Sequence, residues 1–116
     1  MKYLNRSAIV VKYKTPFLEW VTSNQKSSIK FSLNKINHDN IVYLIEEHDD
    51  LCHLEEIIKS HYKSIFQDVL KGWCKDKSKW PKKMSLKLFN EWFEINAHSR
   101  IKDLETIPIE YVPFKT

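Results

Sequence analysis

From position 51 to position 73, apolar side chains return at intervals of three and four. They are Leu51, Leu54, Ile58, Tyr62, Ile65, Val69 and Trp73, with Ile57, Phe66 and Leu70 widening the stripe. That spacing predicts one amphipathic helix. At about 1.5 Å per residue it runs roughly 33 Å, about the diameter of a small domain. Every other element therefore has to be laid along this rod. Asp49 or Asp50 is placed to cap its start, and Gly72 stands where a last turn takes a left-handed stop. The two cysteines, Cys52 and Cys74, fall at opposite ends of it. A disulfide needs Cα atoms within about 7 Å, so this pair reads as two reduced thiols.

The flanking segments are shorter. Residues 7–13 are β-branched and apolar, a first strand. Thr15-Pro16 supplies a cap and a proline for the first turn of a short helix. Phe17, Leu18, Trp20 and Val21 form its buried stripe, and the polar stretch 22–28 ends it. Phe31, Leu33 and Ile36 suggest one further turn capped by Ser32. Residues 40–45 are apolar at alternate and intervening positions, which predicts a central strand. After the long helix, Ser85 is placed to cap a third one buried through Leu86, Phe89, Trp92 and Phe93. Ile95, Ala97, Ser99 and Ile101 then alternate with polar residues as a third strand. The expected class is α+β: a three-stranded sheet with about three helices on one face, in the order β-α-β-α-α-β. A right-handed crossover follows if the first two strands are parallel. Residues 1–106 form the domain. Residues 107–116, with Pro108 and Pro113 among apolar side chains, form a tail that is docked or partner-binding.

Composition narrows the function classes. A chain of 116 residues that is 42% hydrophobic supports a core without metal or disulfides. Its single glycine excludes the P-loop and the dinucleotide fingerprint, which need several glycines close together. The longest apolar run near the start is Ala8-Ile9-Val10-Val11, far short of a membrane span or a signal-peptide core, and the expected location is cytoplasmic. Seventeen lysines against two arginines match an AT-rich coding bias, so lysine abundance alone does not argue for a polyanion.

The distribution of charge says more than its sum of +4. Residues 36–58 hold seven acids and no lysine or arginine, while residues 71–87 hold seven lysines and one acid. Acids at the start of a helix and lysines at its end are favoured by the macrodipole, at roughly 0.3–1 kcal/mol each. That accounts for Asp49, Asp50 and Lys71. It does not reach Lys77, Lys79, Lys82 and Lys83, which lie beyond the helix. Trp73 and Trp80 bracket this segment. Buried, they pin the connection to the core; exposed, they stack bases beside the lysines. The burial reading is the stronger, because Trp73 is in phase with the helix stripe. Trp73, Lys75, Lys77, Lys79, Trp80, Lys82 and Lys83 are the candidate binding residues. Scarce arginine argues against specific base readout.

No catalytic set emerges. His48, Cys52 and His53 are too few and diverge too far for tetrahedral zinc. Cys74 lies beside lysines but also at a helix C-terminus, whose dipole opposes a thiolate. Lys87 and Glu91 are spaced for a surface ion pair, and His98 and Ser99 point to opposite faces of a strand. Neither cofactor nor metal is expected, and enzyme is the minority reading, resting on Glu46, Glu47 and His48.

Several motifs together resemble a family of short bacterial proteins to which no activity is attached. They are Arg6-Ser7-Ala8-Ile9-Val10-Val11, Pro16-Phe17-Leu18-Glu19-Trp20 and Val42-Tyr43-Leu44-Ile45-Glu46. In the second half come Tyr62-x-x-Ile65-Phe66, Leu70-x-x-Trp73, Trp80-Pro81, Phe89-x-Glu91-Trp92-Phe93 and His98-Ser99. The resemblance spans residues 5–105 and implies a free-standing bacterial cytoplasmic protein, with no site residue to transfer. The expected function is a noncatalytic binding or adaptor protein that engages a protein partner or itself. The means are the tail and an edge strand at 97–102. The alternatives are nonspecific nucleic-acid binding through the lysine segment and an enzyme with an acidic site.

Overall fold

The computed structural model describes residues 1–24 and 31–113. The expected α+β class holds. Ten short elements follow one another as β1 (Lys2–Tyr3), β2 (Arg6–Tyr13), α1 (Thr15–Asn24), α2 (Leu33–Ile36), β3 (Val42–Glu46), α3 (Leu54–Trp73), a 3-10 turn (Lys77–Lys79), α4 (Leu86–Trp92), β4 (Phe93–His98) and β5 (Lys102–Asp103). The main sheet has the order β3-β2-β4, and β1 pairs with β5 in a separate ribbon. Both neighbours of β2 run antiparallel to it, Ile9 facing Tyr43 on one side and Ala97 on the other. The conditional parallel crossover therefore does not arise.

Burial sorts the sheet into two faces. Ile9, Val11 and Tyr13 of β2, Ile45 of β3 and Phe93 of β4 enter the core with the helices. The intervening residues, including Val42 and Leu44, look the other way, and those two are more than half exposed. This overturns the expected central position of 40–45. The segment is apolar on both faces, yet it is the edge strand β3, because only its Tyr43 and Ile45 side meets the core. The central strand is β2, paired with β3 from Arg6 to Val10 on one side and with β4 from Ala8 to Tyr13 on the other.

Aliphatic and aromatic side chains share the core, and the rings gather around Phe17. Phe17 sits among Tyr13, stacked at 4.6 Å, Phe93 at 5.2 Å, Trp20 at 5.7 Å, Trp92 at 5.9 Å and Trp73 at 6.2 Å between ring centroids. Pro16 lies in the first turn of α1, where its missing N–H removes no helical bond. That helix runs to Asn24, so part of the predicted polar stop is helical, and residues 25–28 lie outside the described ones. Ser32 and Ser85 both cap as expected, accepting from the amides of Lys35 and Leu88.

Both ends of α3 differ from expectation. Asp50 does not cap the helix. Its carboxylate accepts from the Cys52 amide two residues on, a local turn that delays the helix to Leu54. Nor does Gly72 stop it. No residue has a left-handed backbone among those described, and the helix passes through Gly72 to Trp73 before Cys74 turns extended. A helix leaving through an extended residue needs no glycine.

Candidate functional site

Beyond Cys74 the chain enters the lysine-rich connection, and three polar contacts fix its path. The Trp80 indole N–H donates to the Cys74 carbonyl at 2.8 Å. The Trp20 indole N–H, from α1, donates to the Lys79 carbonyl at 2.9 Å. Asp76 accepts from both the amide and the hydroxyl of Ser78, at 3.0 and 2.6 Å, and so caps the 3-10 turn. These bonds favour the ionised carboxylate and hold the Asp76 pKa below its ordinary value. The only acid in the segment is thus committed to its own turn.

The lysines are left outside. Lys75, Lys77, Lys79, Lys82 and Lys83 are all exposed. Among the described residues the one basic side chain within 4.0 Å of a carboxylate is His53, beside Glu56, so none of these lysines meets a carboxylate. The expected Lys87–Glu91 pair does not form either, although both residues are exposed. Trp73 packs edge-on to Tyr13 and Phe31 against the core. Trp80 is half-buried against that core too, with the Lys77 ammonium 5.9 Å from its ring centroid. Both rings therefore hold structure together at the root of a basic surface.

The acidic end is arranged differently. Glu46 and Glu47 are exposed, while the His48 amide donates to the hydroxyl of Ser7 at 2.9 Å. Ser7 is the one fully buried polar residue among those described, and its hydroxyl also lies 3.1 Å from the Ser99 carbonyl. It ties the exits of β3 and β4 to the start of β2. No three metal-ligating side chains converge among the described residues, His48, Cys52 and His53 included. The Cys52 thiol is held above its ordinary pKa by its hydrogen bond to Asp50, which opposes thiolate chemistry there.

Two concavities border β3 and β2. The first, about 340 Å³, lies between β3 and α3 and is lined by Tyr43, Leu44, His61, Ser64 and Asp68 among others. The Tyr43 hydroxyl donates to Asp68 at 2.6 Å. Burial, then this bond to a carboxylate, pushes the phenol far above its ordinary pKa, so it stays protonated and ties the edge strand to the long helix. The second, about 450 Å³, is an open hollow with Lys12, Lys14, Asn37, Glu91 and Glu94 on its rim. In it Asn37 binds the backbone of Tyr13 on both sides, accepting from its amide at 2.8 Å and donating to its carbonyl at 2.9 Å. The sequence places Tyr43 only within an apolar strand motif and gives Asn37 no role. The only available signal was an asparagine just after a serine-capped turn.

The third feature is apolar. In the C-terminal stretch Leu104, Ile107, Ile109, Tyr111 and Val112 are 62–94% exposed. Among the described residues β3 pairs only with β2, and Ile41 just before it, with Val42 and Leu44 within it, is exposed. The expected edge at 97–102 is divided. β4 ends at His98 as the other edge of the main sheet, and Lys102 pairs instead with Tyr3 in the small ribbon. No helix among the described residues is long and apolar enough to cross a membrane. Comparison with protein-family models, with curated proteins and with solved structures found no match.

Proposed function

We propose that this protein is a noncatalytic binding protein that acts through protein–protein contacts made by its C-terminal tail and its open sheet edge. The observation that carries this reading is the exposure of the tail. Several large apolar side chains in succession stand in water, with Tyr111 at 94% and Val112 at 84%. Scattered apolar residues are ordinary on a protein surface, but a contiguous run marks a surface that another chain covers. Extended, proline-containing segments dock with little ordering cost and add to sheet edges through main-chain bonds. The described core ends at Phe93, so removing the tail leaves that core intact.

The test compares the full chain with one ending at Glu105. At a concentration where the full chain is monomeric, the shortened chain is expected to melt within about 3 °C of it, because no core contact is lost. It should also lose every complex the full chain forms, read by sedimentation and by affinity capture side by side. Complexes that survive the truncation, or a full chain that forms none at any concentration, overturn the proposal.

A second reading is supported by the lysine connection, namely nonspecific binding of nucleic acid by Lys75, Lys77, Lys79, Lys82 and Lys83. Its support is an exposed group of cations with no carboxylate partner among the described residues, on an anchored backbone. With Trp73 and Trp80 packed on the core, base stacking has little share and the contact is electrostatic. Four or five phosphate contacts give a log–log salt slope of about −3 to −4 on single strands. Lys77→Glu with Lys79→Glu should flatten that slope by about 1 to 2 and leave the melting temperature unchanged. A salt-independent response on an oligonucleotide eliminates this reading.

A further inference from the structure

We infer that the partner of the tail is a second copy of this chain. Residues 107–111 of each copy add as an antiparallel strand to the free edge of β3 in the other. This rests on the protein-binding reading above and names its occupant.

The argument is one of parity. Val11 donates its amide to the Ile41 carbonyl across the β2–β3 pair, so the odd-numbered residues of β3 turn their backbone groups toward β2. Val42, Leu44 and Glu46 consequently direct theirs outward, at the open edge. In the tail, Pro108 lacks an N–H and can sit in an added strand only where its backbone faces away from the partner. That requirement turns Ile107, Ile109 and Tyr111 toward β3. Directly opposed residues of an antiparallel pair share a face. The side chains of Ile107, Ile109 and Tyr111 then lie on the same face as Val42 and Leu44, the one opposite the helices. The backbone requirement of one proline and the apolar surface of the sheet thus select the same orientation. A parallel addition fails this check, because it would carry the three tail residues to the core face.

Length agrees as well. The five residues of β3, Val42–Glu46, match the five from 111 back to 107, with Val42 opposite Tyr111, Leu44 opposite Ile109 and Glu46 opposite Ile107. Pro113 closes the pairing just beyond. On this face the added side chains continue an apolar strip that already includes Val10, which pairs with Val42, and Ala8, which pairs with Leu44.

Area favours the reciprocal arrangement. Within the pairing each copy offers three large exposed side chains on the tail, Ile107, Ile109 and Tyr111, and two on β3, Val42 and Leu44. At about 100 Å² apiece, two tails exchanged between two edges bury on the order of 1,000 Å² of side-chain surface, which reaches the size a specific interface needs. A single tail on a single edge falls to half of that. Exchange is also a closed twofold arrangement, in which each copy's tail and each β3 edge find their partner within the dimer. The chain's own tail is less well placed. It leaves β5, whose Asp103 pairs with Lys2, several residues beyond the end of the main sheet, and it would have to reverse to reach β3.

The test uses the full chain with Cys52 and Cys74 replaced by serine, carrying Leu44→Cys and Ile109→Cys. Air oxidation is expected to yield a species of about 28 kDa, twice the mass of one chain, linked between the two new cysteines. Sedimentation of the unmodified chain should give the same dimer, and Leu44→Lys should dissociate it at least tenfold while keeping the far-ultraviolet spectrum. A bridge formed within one chain at monomer mass means the tail folds on its own edge, which overturns the exchange. A monomeric chain that still forms tail-dependent complexes with another protein also overturns it and leaves the broader reading standing. A chain without tail-dependent complexes of any kind overturns both.

Discussion

Replacing Phe17 by alanine is expected to lower stability by about 3–5 kcal/mol, the usual cost of deleting a fully enclosed phenyl ring. The ring is 0% exposed and lies where α1, the end of β2, α3 and α4 meet. Its neighbours are themselves rings held by other contacts: Trp20 by its bond to Lys79 and Trp73 by Tyr13 and Phe31. Such a wall cannot collapse into the space without breaking those contacts, which puts the cost toward the upper end. For a domain of this length the melting temperature should fall by about 12–20 °C, as read by calorimetry. Phe17→Leu refills most of the volume and should cost about 1–2 kcal/mol. The variant should also loosen the lysine connection, since Trp20 reaches the Lys79 carbonyl from the same helix turn. Protease nicking after Lys77 or Lys79, below the melting transition, reports that second effect. A loss of under 1 kcal/mol would mean the aromatic cluster repacks freely, and the anchoring described for the basic surface would fail with it.

The elements that sequence reading placed best are those whose stabilisation is local or periodic. Ser32 and Ser85 are followed by helical turns because a serine hydroxyl meets the amide three residues on, wherever the rest of the chain lies. The stripe from Leu54 to Trp73 is a helix because its period admits one burial face. What failed depended on distant partners. β3 was placed at the centre because Val42 and Leu44 are apolar, but hydrophobicity does not reveal whether a face is covered within the chain or by another one. That error and the proposed exchange have a common origin: β3 is an edge strand with the composition of a central one. The ribbon of Lys2–Tyr3 with Lys102–Asp103 was not legible, since two residues carry no period. Gly72 misled because glycine favours a left-handed stop without requiring one. The uneven charge was plain in the sequence. That the lysines beyond the helix lack carboxylate partners could be learned only in three dimensions, because Asp76 is spent on Ser78.

Asn37→Ala should destabilise the domain by about 2–4 kcal/mol, an effect far larger than its exposed, polar neighbourhood suggests. At the end of β2 the ladder with β3 has run out, as Val11 makes the last backbone bond on that side, to Ile41. Tyr13 lies two residues further along, with its amide and carbonyl turned to the same empty side. The Asn37 carboxamide fills the gap as a strand residue would, bonding both groups, and its amide nitrogen also reaches the Leu33 carbonyl at 3.1 Å. Alanine leaves the Tyr13 amide and carbonyl without partners in a part-buried position, at roughly 1–3 kcal/mol for each group, moderated where water enters the hollow beside Asn37. Tyr13 is also where the sheet meets the Phe17 cluster, so the loss is transmitted to the core. Asn37→Asp separates the two bonds: it keeps an acceptor for the Tyr13 amide and removes the donor to its carbonyl, and should fall between alanine and the parent chain. Hydrogen exchange at the Tyr13 amide gives the direct reading. Its protection should drop in Asn37→Ala beyond the global loss and persist in Asn37→Asp. Equal protection in all three chains would show that the carboxamide does not extend the ladder.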